Sequence, residues 1–531
     1  MVDSACPTCG RVQDDDETLQ IEWICCDICH RWYHATCVDV KESEIKLIRE
    51  FHCPNCSKFE GPSLLTRTSS RHHKRIDYIA LNEGDDPREV NHHPHIEDFN
   101  SFQNDQPIDE LVYLVDPKKD CNELGILDDS VLMNIILKTR LKKPILIRGC
   151  NPSVKPNYDR RIHLNFKFPR FNIEQLTELI GHDLKVPVMD VMTQNNSPNW
   201  TMDRWRDYFK KDPEDRDKIK NVISLEFSET DLGKHVEIPK VVRDVDIVSK
   251  LFDSALGKRL LDAGIERPKV TKYVLMSVAD AFTDFHIDFA GTSVYYTILS
   301  GKKQFLMYPP TDRNLDLYKK WCDSDDQNSI WFGDLVPTLT LKEQLKYEGT
   351  VDPAYINNGF KVDINSGDLL LLPSGWIHAV YTPSDSLIIG GNFLNLLSLE
   401  NHLKSYEIEV DIKVPDKFKF PSFLKIVWLI GWYLKEEDPN LISEELLCLA
   451  SLLQFYKKQW AMVNDVRYQE DKKLKRVIQQ VRHSIPLSII GKVDKFIIEF
   501  EAWYKFRLKE ANIADDFLAL DELPSKRQRR R

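Results

Sequence analysis

"DFHIDFAGTSVYYTILSGKKQF", residues 284–305, decides how this chain is read. Ile, Val, Tyr, Thr and Phe dominate it, and Gly291 and Gly301 break it, so it reads as strand segments joined by glycine turns. A strand sends alternate side chains to the same face. His286 and Asp288 therefore point into one space, with Ile287 turned away. An imidazole and a carboxylate converging on one point begin a metal site that needs a third ligand. "LLLLPSGWIHAVYTP", residues 369–383, supplies His378 on another predicted strand. Two histidines and one carboxylate make the facial set of non-haem Fe(II) oxygenases, which leaves coordination positions open. A short His-x-Asp also arises by chance, and a strand histidine is usually core, so the wider sequence has to carry the assignment.

The chain has 531 residues, room for ~3 to 4 domains. Its net charge of −11 argues against a surface that coats nucleic acid throughout. Met1 runs directly into "VDSACPTCG", and no secretory leader is read there. The longest apolar run, "IVWLIGWYL" at 426–434, is roughly half a bilayer span, so no membrane segment is expected. Of 12 cysteines, eight fall within the first 56 residues. Local clustering without a leader favours zinc over disulfides.

The segmentation follows from these shifts. Residues 1–57 are a zinc module and 58–75 a basic linker. Residues 76–265 are mixed, with helices expected near 127–140, 172–181, 202–220 and 240–265 and a strand at 221–227. Strands dominate 266–400, helices 401–520, and 521–531 is a basic tail. The expected class is α+β and multidomain.

In the first module the order is Cys6-x2-Cys9, Cys26-x2-Cys29, His34-x2-Cys37, Cys53-x2-Cys56. Seven thiolates and one imidazole suffice for two closed tetrahedral zinc sites. Cys25 is surplus. The order, with "WICCDICHRWYHATCV" at its centre, resembles a PHD finger. That resemblance implies cross-bracing, with Cys6, Cys9, His34 and Cys37 on one zinc and Cys26, Cys29, Cys53 and Cys56 on the other. It also points to histone-tail reading. Trp23 and Trp32 stand at cage-wall positions for a methylammonium, the plain alternative for Trp32 being a core tryptophan. Asp14, Asp15, Asp16 and Glu17 read as a solvated loop or as a surface for a basic peptide.

"TDFHIDFAGTSVYY", "FLMYPPT" and "PSGWIHAVYTP" resemble the JmjC domain, a cupin-type double-stranded β-helix; the likeness extends over roughly residues 76–435. It implies iron on His286, Asp288 and His378 and 2-oxoglutarate as cosubstrate. Lys303 and Thr283 match the positions that hold the cosubstrate's distal carboxylate. Tyr296 and Asn221 match further contacts, a structural hydrogen-bonding role being the alternative for each. "DYIALNEG", "VMDV", "NVISLEFS", "DQNS" and "GGNFL" bring the chain nearest to fungal PHD–JmjC histone demethylases. That group implies removal of mono- and dimethyl marks from lysine 36 of histone H3, with release of succinate, CO2 and formaldehyde. A related branch acts on other H3 lysines, a JmjC hydroxylase adds oxygen to side-chain carbon, and a reader or scaffold would carry an inactive barrel. The animal relatives' CxxC-type DNA-binding finger has no counterpart in this sequence. "RHHKR" (71–75) and "KRQRRR" (526–531) suit nuclear import or nonspecific phosphate contact, or else are solvated tails. A nuclear histone or nucleosome partner is the natural expectation.

Overall fold

A computed structural model describes residues 5–10, 23–40, 45, 48–60, 63–65, 93–104, 107–155, 158–324, 327–336, 358–464 and 475–514. The chain divides into two units, Met1–Ala80 and Leu81–Arg531. The acidic run at 14–17 and both basic runs, 71–75 and 526–531, lie outside the described residues.

Among the described residues the first unit has little secondary structure. Trp23–Cys25 pairs antiparallel with Trp32–His34, and Ile48–Glu50 with Leu64–Leu65. Its apolar core is small, built from Ile24, Tyr33, Phe51 and cysteines. A core of that size cannot offset the chain entropy of ordering the module, so the zinc sites must supply the difference.

Among the described residues the second unit is built on a sheet of eleven strands. In chain order they are β1 (Tyr113–Leu114), β2 (Ile145–Ile147), β3 (Val188–Asp190), β4 (Asn195–Ser197), β5 (Lys220–Glu226), β6 (Tyr273–Ser277), β7 (Phe282–His286), β8 (Ser293–Tyr308), β9 (Phe360–Asn365), β10 (Leu369–Leu372) and β11 (Ile377–Phe393). The main path runs β4-β3-β5-β6-β11-β8-β10-β2-β1; β7 adds to β11 and β9 to β8.

Two long strands organise this sheet. β8 and β11 pair from Ser293↔Phe393 to Tyr308↔Ile377, with register shifts between Ile298 and Gln304. The first half of β8 also pairs with β10, and its second half with β9. Likewise β11 takes β7 near its start and β6 near its end. Each long strand thus serves two differently directed sets of neighbours, which curls the sheet around an interior. The bend falls at Gly301, where φ is +84°. A Cβ there would come within 2.2 Å of Ser386 Oγ and 2.3 Å of the Asp385 carbonyl, so both the backbone conformation and the space demand glycine. Gly301 and Pro383 look like strand breaks in the sequence, yet both lie inside continuous strands.

The helices differ in detail from the sequence expectation. The helix expected over 202–220 stops at Phe209, a 3-10 turn led by Pro213 follows, and Lys220 already opens β5. Proline cannot continue the helix, which explains the early stop. The region 240–265 holds three short helices, Lys240–Val245, Ile247–Asp253 and Gly257–Asp262. Asp246 restarts the second by accepting from the amides of Val248 and Ser249.

Beyond the sheet lie helices Leu399–Asp411, Phe423–Glu437, Ser443–Asn464, Lys475–Ser484 and Val493–Glu510. "IVWLIGWYL" is the second of these and is buried along its whole run. Trp428 stacks on Tyr456 at 4.5 Å. The run is apolar all round because protein surrounds it. No helix among the described residues is long and apolar enough to cross a membrane.

Candidate functional site

In the first unit the donor atoms of Cys6, Cys9, His34 and Cys37 all lie within 4.8 Å of one another, and so do those of Cys26, Cys29, Cys53 and Cys56. The two sets alternate along the chain, which is cross-bracing, and Cys25 belongs to neither. Both clusters fit a tetrahedral zinc ion. Backbone amides point at the sulfurs: His34 N–H reaches Cys6 Sγ at 3.4 Å and Cys53 N–H reaches Cys26 Sγ at 3.3 Å. At Cys6 burial opposes the thiolate, but the amides of His34, Cys9 and Thr8 outweigh it and bring the thiol down to about 7. Trp32 is 49% exposed, so it is not a core residue. Trp23 sets its ring edge-on to zinc ligand His34 at 4.1 Å. Trp23 pairs with His34 and Trp32 with Cys25, so the register puts both tryptophans on one face of the ribbon.

In the second unit, β7 lies antiparallel to β11 with His286 opposite His378. Their rings are 4.2 Å apart. Asp288 brings Oδ2 to 3.8 Å from His378 Nε2. It does so from just beyond the strand, since β7 ends at His286 and Asp288 opens the turn Phe289–Gly291. Simple strand alternation, the reason for grouping the two in the sequence, is therefore not what aims the carboxylate. A buttressed turn does that. His286 Nδ1 faces the Asp284 carbonyl at 2.8 Å, and His378 Nδ1 faces the Trp376 carbonyl at 3.0 Å. These contacts hold a proton on each Nδ1 and leave both Nε2 lone pairs for a cation. Burial, and then the neighbouring His286, push His378 down to about 4, so it is a neutral imidazole at physiological pH. Asn392 donates to Asp288 Oδ1 at 3.2 Å. Two imidazoles that present Nε2 and an oriented carboxylate are a donor set that suits Fe(II).

The turn after Asp288 is held from the helical part of the chain. His402 Nδ1 lies 2.9 Å from the Gly291 carbonyl, and Glu409 Oε1 accepts from Ala290 N–H at 2.6 Å. Gly291 has φ +55° and sits so close to helix Leu399–Asp411 that a Cβ would lie 2.2 Å from Ser405 Oγ. The helices thus set the position of a carboxylate that the barrel carries.

Lys303, on β8, is fully enclosed. Its Nζ donates to Ser277 Oγ on β6 and Thr382 Oγ1 on β11, both at 2.6 Å. Ser277 Oγ donates to Asn221 Oδ1 at 2.6 Å, and Asn221 Nδ2 donates to Thr283 Oγ1 at 3.2 Å. Lys303, Asn221 and Thr283 are thus joined in one chain through Ser277. Ser277 and Thr382 went unnoticed in the sequence: Ser277 offers only a hydroxyl closing an otherwise apolar strand, and Thr382, beside Pro383, Ser384 and Asp385, offers no signal. Tyr296 stands outside this chain; its ring meets Phe305 edge-on at 5.2 Å, and Phe305 stacks on His378 at 5.9 Å. No carboxylate among the described residues pairs with Lys303, and burial pulls its pKa down to about 7. A buried amine served only by hydroxyls would be stabilised in its charged form by an anion.

The PHD-finger family matches residues 6–56, the cupin-like domain family 185–395 and the Jumonji helical domain family 397–500. A PHD finger, a cupin-like JmjC domain and a helical JmjC-associated domain therefore define the class. Proteins named JmjC domain-containing histone demethylation protein 1 are similar over most of the chain. The one from Debaryomyces hansenii is 43% identical over 83% of this chain and 80% of its own length. That from Candida albicans is 40% identical over 83% and 89%, and that from Saccharomyces cerevisiae 35% over 82% and 89%. The chain belongs to this family.

Proposed function

We propose that this protein is an Fe(II)- and 2-oxoglutarate-dependent histone lysine demethylase acting on mono- and dimethylated lysine 36 of histone H3 in the nucleus. The observation that carries the cosubstrate reading is Lys303, a buried amine with no carboxylate partner among the described residues. The distal carboxylate of 2-oxoglutarate supplies the missing anion, with Thr283 and Asn221 as further polar contacts. His286, Asp288 and His378 would hold the iron. Iron bound there, with 2-oxoglutarate and dioxygen, would supply the oxidation of an N-methyl group that releases it as formaldehyde.

The chain's own residues do the rest. Lys303 fixes one end of the cosubstrate, so its keto acid end presents to the histidines in one orientation. The carbonyls of Asp284 and Trp376 hold the two imidazoles in the metal-binding tautomer. Asn392 donates to Asp288 Oδ1 and keeps that carboxylate turned inward. Phe305, stacked on His378, walls the site with an apolar ring that keeps water out. The names of the relatives support a histone substrate; lysine 36 rests on the resemblance of the sequence motifs. The PHD finger, with exposed Trp32, is read as a binder of the H3 tail.

The test is a panel of methylated H3 peptides with Fe(II) and 2-oxoglutarate, read by mass. Loss of methyl from the lysine 36 peptides is the expected result. Oxygen gain without methyl loss would make the protein a hydroxylase, loss at another lysine would move the substrate, and no turnover of 2-oxoglutarate would leave a scaffold.

A further inference from the structure

The stretch "HHPH", residues 92–95, takes no part in the chemistry above. Two of its histidines end up beside strand β7, 189 residues further along from His95. His95 Nδ1 lies 3.2 Å from Asp284 Oδ2 and 3.3 Å from Oδ1. His93 Nε2 points at the same carboxylate from 3.9 Å, too far for a hydrogen bond. The donor atoms of His93, His95 and Asp284 all lie within 4.8 Å of one another, as they do in the two zinc clusters of the PHD finger. The iron-binding group is not gathered this tightly.

We propose that His93, His95 and Asp284 form a further metal site, separate from the iron triad, that takes a borderline divalent ion such as Zn(II). Bonds of 2.0–2.2 Å from zinc to imidazole nitrogen and carboxylate oxygen give tetrahedral edges of about 3.3–3.5 Å. The observed separations of 3.2 and 3.9 Å bracket that edge. The residue types are those zinc accepts, and three protein ligands leave a fourth position for water. Both histidines are 3% exposed, and the ring of Phe282 lies 4.8 Å from His93 and that of Trp331 5.5 Å from His95. His95 Nε2 is enclosed without a hydrogen-bond partner among the described residues, so the Asp284 side is where this ring makes its polar interactions. Asp284 is oriented in turn by the Phe285 amide at 2.8 Å. A carboxylate in such surroundings gains from a cation.

Such an ion would clip the segment leading into helix Ile96–Ser101 onto the strand that ends in His286. Asp284 would then serve both sites, its side chain holding this ion and its carbonyl holding His286. His95 N–H approaches His93 Nδ1 at 3.3 Å, which favours the His93 proton on Nε2; a metal on Nε2 would move that proton to Nδ1 and give up the amide contact. In the rival arrangement no metal binds, the contact stays, and His95 alone hydrogen-bonds the carboxylate.

The two are separated by metal content in the full chain carrying both His286→Ala and His378→Ala, which removes the iron site. After zinc loading and desalting, three zinc ions per chain are expected, falling to two with either His93→Gln or His95→Gln. Two in the parent overturns the proposal, and so does three in every variant. Should the glutamine variants fail to fold, Co(II) added to the parent with its PHD sites already filled by zinc decides the matter. Visible d–d bands without thiolate charge transfer support a His/carboxylate site; their absence overturns it.

Discussion

The PHD finger and the barrel both gather metal ligands, in opposite ways. In the finger all eight ligands fall within 51 residues and every pair but one is Cys-x2-Cys. There the metals are the core, since the apolar cluster holds only a handful of side chains. In the barrel His286 and His378 come from strands 92 residues apart, inside a fold with a large apolar core of its own. A metal there is a guest of a structure that stands without it. The difference teaches that ligand spacing is a folding statement in one unit and a consequence of folding in the other.

The sharpest way to break that comparison is metal removal. A zinc chelator is expected to unfold the first unit outright, because structural zinc supplies apparent energies of about 10–16 kcal/mol in small fingers. The barrel should keep its circular dichroism and melting transition. A barrel that melts together with the finger would erase the distinction.

Next in size is loss of an iron ligand. His286→Ala, Asp288→Ala or His378→Ala should lower turnover by at least about 100-fold with the melting temperature little changed. Substantial demethylation by His378→Ala would remove the triad assignment.

Lys303→Ala tests the anion pocket. It is expected to raise the 2-oxoglutarate requirement by the worth of a broken buried ion pair, about 3–5 kcal/mol. Thr283→Ala should cost less, about 1.5–3 kcal/mol for one hydrogen bond to a charged group. pH sharpens the same point. Lys303 titrates near 7 in the empty pocket, and a bound carboxylate needs it charged, so binding takes up a proton above that pH. Affinity for an unreactive 2-oxoglutarate analogue should therefore be flat below about 7 and fall as pH rises above it. Calorimetry in two buffers of different ionisation heat should show the uptake; pH-independent affinity would place the cosubstrate elsewhere.

The smallest effect is expected at the finger's surface. Trp32→Ala removes one aromatic face, worth about 0.5–2 kcal/mol toward a methylammonium. Because Trp23 already leans on His34, the cage has few free walls, and binding to an H3 tail methylated at lysine 4 should be micromolar or poorer. Turnover of a short lysine 36 peptide should not change, while action on nucleosomes carrying both marks should weaken through lost tethering. Affinity that ignores the methyl group would make the finger a structural or partner-binding module.

The sequence alone determined what depends on near neighbours along the chain. Cysteine pairs at two-residue separation declared two zinc clusters, because ligands so close must share a metal once a turn brings them round. Motifs around His286 and His378 declared the barrel through their likeness to a known domain. Tertiary structure decided what depends on distant strands meeting. Gly301 and Pro383 read as breaks, yet pairing with neighbours on both sides carries β8 and β11 straight through them. Asp288 is aimed by a turn that His402 and Glu409 hold from a helix more than a hundred residues away. Ser277 and Thr382 became partners of Lys303 only because β6, β8 and β11 lie side by side. "HHPH" meant nothing until folding set it against Asp284. A side chain's chemistry is written in its residue type, but its partners are chosen by packing, and packing is settled by the whole chain at once.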